Sequence, residues 1–190
     1  MVTVAAIGAV IVASKLSKIN TVKLDTDKLS VSKEAKKRGS GYLNVALFGV
    51  DSRDNDLDKG TRSDTIMIAS LNKKTMKVKI ASIYRDTLSE QEDGTLNKIN
   101  AAYSYGGPEG ALSVLNKNLD MNIEHYVTVN FNSMIDIVDS VGGIDIDVQE
   151  DEMPYICGYV QEIMKVTGKL SPGVTEPGTQ TLNGVQATAY

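Results

Sequence analysis

The chain has 190 residues, a 42% apolar fraction and a formal net charge of −4, the profile of one globular domain with room for an appendage. It carries no basic excess to attract nucleic acid. Cys157 is the only cysteine and His125 the only histidine, so an intramolecular disulfide and a histidine-rich zinc site are both excluded, and any metal must be held by oxygen.

Met1–Ser14 contains no charge and is mostly Val, Ala and Ile, with Lys15 and Lys18 following. The run is shorter than the roughly 20 apolar residues of a spanning helix. It also lacks the leading positive charge of a signal peptide. We read residues 1–19 as the outer end of a membrane anchor, with an ordinary buried helix as the alternative. Residues 20–41 are polar, cluster Lys33, Lys36, Lys37 and Arg38, and end in Gly39-Ser40-Gly41. This composition predicts a linker or stalk, with the domain proper over 42–190.

Leu43–Val50 is apolar on both faces, as a central strand is. Asp51–Ser63 is a polar loop, and Asp64–Leu71 is a second strand. The connection Asn72–Thr75 is too short for a crossover, so the next strand, within Met76–Tyr84, returns as a hairpin. There Met76, Val78 and Ile80 alternate with Lys77 and Lys79, which gives a wet face. Ser89–Thr95 reads as a polar loop. Glu109–Leu119 is an amphipathic helix with Pro108 near its first turn. Ile123–Val129 is a fourth strand, Phe131–Val141 a helix stopped by Gly142-Gly143, and Ile144–Val148 a fifth strand. Beyond Gln149 the chain is less regular, with helical stretches expected at Tyr155–Val166 and from Leu182 onward. The sum is an α/β fold, a mixed central β-sheet flanked by helices.

Charged groups gather where the first three strands end. Arg62 and Arg85 present planar forks that match phosphate oxygens and could clamp a diphosphate; equally, each could pair with its neighbour Asp64 or Asp86. Asp51 and Asp64 are natural oxygen ligands for Mg²⁺, or else a loop cap and a turn residue. Lys98 and Asn100 precede a helix and could add polar contacts. His125 suits a strand edge, and Cys157, among Tyr155, Ile156 and Tyr159, suits a structural thiol. No Walker loop, nucleophile elbow or paired-cysteine metal motif is present in the sequence.

These residues resemble the LytR-CpsA-Psr family of bacterial cell envelopes. The matching pieces run in order: Phe48-Gly49-Val50-Asp51-Ser52-Arg53, Arg62-Ser63-Asp64-Thr65, Arg85-Asp86-Thr87, Lys98-Ile99-Asn100-Ala101-Ala102-Tyr103 with Gly106-Gly107, Val138–Ile144, and Leu182–Ala187. The resemblance implies an α/β/α-type domain held outside the cytoplasm on a single-pass anchor in the cell membrane. It implies a phosphotransferase that moves an anionic glycopolymer, a teichoic acid or capsular polysaccharide, from a polyprenyl diphosphate carrier to peptidoglycan, with no nucleic-acid partner. Carried over residue by residue, Arg62, Asp64 and Arg85 are the catalytic candidates. Arg62 and Arg85 contact the diphosphate, Asp51 and Asp64 hold Mg²⁺, and Arg53, Lys98 and Asn100 are further diphosphate candidates. In two respects the chain departs from the family: Tyr84 stands where the family usually has proline, and the family continues past the Gln-Ala stretch into an arginine-rich segment. The domain is therefore expected to be incomplete at its C-terminus, and this chain weak or inactive in transfer. The alternative function is a polyprenyl-phosphate-binding or regulatory ectodomain without turnover, which needs Arg62 and Arg85 but neither Asp51 nor a metal.

Overall fold

The computed structural model describes residues 21–52, Leu57 and 60–190. The expected anchor and Arg53 lie outside the described residues, among which no helix is long and apolar enough to cross a membrane.

A four-stranded sheet is the frame. β1 (Tyr42–Val50) pairs antiparallel with β2 (Ser63–Asn72), which forms the expected hairpin with β3 (Val78–Ser82). On the other side β1 takes β6 (His125–Val129) as a parallel partner, giving the order β3-β2-β1-β6. The sheet is therefore mixed, and His125 sits on an edge strand, exposed. Between β3 and β6 the chain makes a small hairpin, β4 (Leu88–Glu90) with β5 (Leu96–Lys98), and then helix α2 (Ala101–Leu119). The polar loop expected at Ser89–Thr95 is thus partly this hairpin, whose strands are too short and too polar to show period-two alternation.

Alternate residues of β1, Asn44, Ala46, Phe48 and Val50, point to one face of the sheet and are buried there. With Ile66 and Ile68 of β2 they meet Tyr103, Leu112, Val114 and Leu115 of α2 in the main core. The Phe48 and Tyr103 rings pack edge to face at 5.2 Å, the arrangement their quadrupoles favour. The helix starts earlier than its sequence suggests because two helical pieces meet at Gly107, whose φ of 62° and ψ of −156° break the regular path just before Pro108. Glycine reaches that φ without a Cβ penalty, and proline then opens the second piece, the expected Glu109–Leu119 helix, in its first turn.

The fifth expected strand exists but does not join this sheet. β7 (Ile144–Val148) pairs with β8 (Gly178–Leu182), a strand hidden in the polar C-terminal stretch. Around this ribbon pack α3 (Phe131–Ser140), α4 (Met153–Thr167) and α5 (Gly184–Ala189). Ile135, Val148, Ile156, Val160, Ile163, Val174, Leu182 and Val185 make a second core. Cys157 is half-buried at its margin, and its thiol donates to the Val174 carbonyl at 3.1 Å.

The stretch read as a linker is docked on the domain. Leu29 is fully buried in the main core, and its carbonyl accepts from the Asn116 amide at 2.9 Å. The short helix α1 (Lys33–Gly39) is capped by Ser32 and tied down by Arg38, which is ion-paired to Asp120. Lys36 pairs with Glu124 at 3.4 Å. Two of its basic residues, Lys36 and Arg38, thus meet carboxylates of the domain, which a count of lysines does not reveal.

Candidate functional site

Three chain segments converge at one rim of the sheet: the end of β1 with the start of β2, the turn after β3, and the junction of β5 with α2.

The first is shaped by a β-bulge. Gly49 pairs with Thr65 and Val50 with Ser63, so Asp64 is the extra residue on its strand. A bulge re-aims side chains. Here Ser63 turns inward and is fully buried, while Asp64 and Thr65 both face solvent. Strict alternation would have sent Asp64 inward. Asp51 follows directly on β1 and is exposed; its carbonyl accepts from the Thr61 hydroxyl at 3.3 Å, which ties the segment before Arg62 to the strand end.

The second segment is a turn in which the Thr87 amide donates to the Tyr84 carbonyl at 2.9 Å. Arg85 and Asp86 occupy its two central positions and so stand side by side. The family's usual proline would fix the residue before this pair; here Tyr84 is almost fully exposed and the turn is still closed. The turn is braced from behind, the Asn100 amide donating to the Arg85 carbonyl at 3.2 Å and the Ile99 amide to the Thr87 carbonyl at 2.8 Å.

The side chains form a chain of charges. Arg85 Nη1 reaches Asp64 Oδ1 at 2.6 Å, and Arg85 Nε lies 3.8 Å from Asp86 Oδ2. Lys98, from β5, pairs with the other oxygen of Asp86. That hydrogen bond from Lys98 holds the Asp86 carboxyl below its ordinary range, and the positive charges of Lys98, Arg85 and Arg62 add to the effect. Arg62 is therefore close enough for its field to be felt, yet it pairs with no carboxylate within ion-pair distance among the described residues. Arg85 is thus engaged by its acidic neighbours, while Arg62 has no carboxylate partner among the described residues.

Asn100 sits differently from its expected role. It is 4% exposed, its main chain braces the Arg85 turn, and its Oδ1 has no hydrogen-bond partner. The Ser63 hydroxyl on the far side of Asp64 is likewise buried and unpartnered. Asp86 was read from sequence only as a possible partner of an arginine at this rim; Ser63 was not singled out, because only the bulge turns it inward.

No group of three or more metal-ligating side chains occurs among the described residues. Asp51 and Asp64 supply two solvent-facing carboxylates at adjoining strand ends. This fits magnesium, which commonly takes one or two protein carboxylates and completes its shell with water and substrate phosphate.

The LytR_cpsA_psr family matches residues 8–190, nearly the whole chain. The chain belongs to the LytR-CpsA-Psr family. Over 126 residues it is 39% identical to the polyisoprenyl-teichoic acid–peptidoglycan teichoic acid transferase TagU of Bacillus cereus, covering 66% of this chain and 40% of TagU. Among solved structures it resembles TagV of B. subtilis, with 30% identity, a TM-score of 0.57 and coverage of 78% and 54% of the two chains. It also resembles B. subtilis TagT bound to LI-WTA, with 25% identity, a TM-score of 0.60 and coverage of 90% and 57%. A LytR-CpsA-Psr domain is thus present, and the chain spans about two fifths of the length of the TagU proteins it matches. Within that family the mixed α/β architecture with a central mixed sheet is as expected from sequence.

Proposed function

We propose that this LytR-CpsA-Psr domain takes part in transferring an anionic glycopolymer, of the teichoic acid or capsular kind, from a polyprenyl diphosphate carrier to peptidoglycan. The observation that carries this reading is the meeting of Arg62, Asp64, Arg85, Asp86 and Lys98 on one exposed rim, three cations and two carboxylates from distant parts of the sequence. The names of the TagU relatives support the substrate class.

In such a transfer the acceptor hydroxyl oxygen bonds to the phosphorus that bears the glycopolymer. The bond from that phosphorus to the bridging oxygen breaks, prenyl phosphate leaves, and the hydroxyl proton passes to a base. Positioning and neutralisation of charge dominate reactions of this kind. Arg62 and Arg85 would bind the diphosphate oxygens bidentately, and Lys98 would add a point charge. Asp64 would hold a cation or accept the hydroxyl proton. Asp51 and Asp64 would hold Mg²⁺, which when bound withdraws charge from the phosphate oxygens. The protein would act outside the cytoplasm, on the membrane-bound carrier.

The test is native mass spectrometry with lipid extraction, followed by release of prenyl phosphate in the presence of peptidoglycan and Mg²⁺. Wild-type protein should carry a polyprenyl phosphate or diphosphate, and Arg85→Ala should lose it. Lipid bound without release by this chain and by a longer form of it, with or without metal, would favour the non-catalytic ectodomain. No lipid in wild type, even after loading, would overturn the assignment.

A further inference from the structure

One of the two guanidinium groups read as phosphate ligands is already occupied. Arg85 spends Nη1 on Asp64 at 2.6 Å and directs Nε toward Asp86 at 3.8 Å. Asp86 has a second cation in Lys98, so it remains neutralised if Arg85 turns away. Asp64 has no other cationic partner among the described residues. It also lies on a bulge that keeps it outward, beside Asp51 at the end of the neighbouring strand. Among the described residues, freeing Arg85 therefore leaves one uncompensated charge, on Asp64, and this is the carboxylate a divalent cation would take.

We infer that the Asp64–Arg85 pair is a latch: a cation bound at Asp64 releases Arg85 toward the diphosphate, so metal and diphosphate each strengthen binding of the other. This rests on the diphosphate-binding reading of the same rim. The coupling is reciprocal, because any factor by which the cation raises anion affinity must also appear in cation affinity. Its size follows from the exposure of the pair, whose side chains are 52% and 48% accessible. Exposed ion pairs are worth at most about a fivefold change in an equilibrium.

The experiment is isothermal calorimetry of inorganic pyrophosphate with the purified chain and a double-mutant cycle, first without metal. Asp64→Asn removes the latch and should tighten metal-free pyrophosphate binding. Part of that gain is simple loss of negative charge. In an Arg85→Ala background only that part should remain, so the gain should be about two- to fivefold smaller. Asp51→Asn removes the same charge without touching Arg85 and should give only the smaller gain. Mg²⁺ should tighten pyrophosphate binding to wild type by more than to Arg85→Ala, and pyrophosphate should raise Mg²⁺ affinity by the same factor. Equal gains from Asp64→Asn in both backgrounds would overturn the latch while leaving the diphosphate site standing, since Arg85 would then hold Asp64 and phosphate together through separate N–H groups. Pyrophosphate that fails to bind wild type with or without Mg²⁺ would overturn the site and the latch together. Circular dichroism of each variant checks that the fold is kept.

Discussion

At the scale of single residues, the rim is a set of charges whose behaviour depends on neighbours more than on type. Asp86 shows this most directly. Its carboxyl is lowered from 3.8, first by the hydrogen bond from Lys98. A depressed folded value means that the pairing stabilises the protein fully above the unfolded value and is lost as pH falls through the folded one. Lys98→Ala should therefore move the Asp86 titration midpoint upward, toward 3.8; carboxyl carbon NMR across pH 2 to 6 would read it, and an unmoved midpoint would remove Lys98 from the network. The identities Arg62, Asp64 and Arg85 were legible in the sequence because charged residues closing apolar strands must surface near strand ends, whereas Lys98 was read only as preceding a helix. The burial of Asn100 was not. It follows from the first piece of α2, which the Gly106-Gly107-Pro108 run concealed.

Elements fix these residues through close approaches that side-chain chemistry alone does not reveal. A Cβ on Gly184 would stand 2.3 Å from the Ile135 carbonyl oxygen, so α5 enters the second core by touching the backbone of α3. Gly143, at φ +96°, would set a Cβ 2.7 Å from the Leu182 carbonyl oxygen where β7 begins against β8. Gly184→Ala should lower stability by about 3 kcal/mol, the upper range of overpacking, measured by urea unfolding, whereas Gly158→Ala, with nothing within 4 Å of the added carbon, should not. The docked N-terminal segment depends on different forces. Asp120 accepts from Ser32 at 3.0 Å and pairs with Arg38. Asp120→Ala should raise amide hydrogen exchange across α1 and leave β1 protected; unchanged exchange would mean that buried Leu29 and the Lys36–Glu124 pair suffice to hold the segment. The four-residue link made the β2–β3 hairpin predictable. The docking of residues 24–40 was not, because its partners lie more than 80 positions away, as with Arg38 and Asp120.

Over the whole molecule, two cores divide the labour. One joins the sheet to α2 and carries the rim; the other joins α3, α4, α5 and the β7–β8 ribbon. Leu112→Ala, in the first, should cost about 2–5 kcal/mol and loosen exchange at the rim. Ile135→Ala, in the second, should cost a similar amount with its largest exchange changes in α3 to α5. Identical exchange patterns would show that the two cores unfold as one. Acid acts through the half built on the first core. The carboxyls of Asp25, Asp86, Asp93 and Asp120 are all lowered, each chiefly by a side-chain hydrogen bond. Their contribution is complete above about pH 4 and fades below it, so Tm should be level near neutrality and fall in that acid range. The sequence yielded the sheet, the hairpin and most helices, because period and turn length are local signals. It did not yield the partner of β7, which is a choice between distant strands.

The bulge in β2 also limits how this site can change by inheritance. Substitution can alter the chemistry of residue 64 but not its direction, which is set by a count of residues. Loss of one position at Ser63 would let the ladder close without a bulge and carry Asp64 into the inward place Ser63 now fills, where an unpaired carboxylate is costly. Gain of one would push Arg62 out of step with Arg85. The spacing between Arg62 and Asp64 is therefore vulnerable to insertions and deletions rather than to point changes, and a relative that kept every motif letter but lost one residue here would keep the sheet while surrendering the rim.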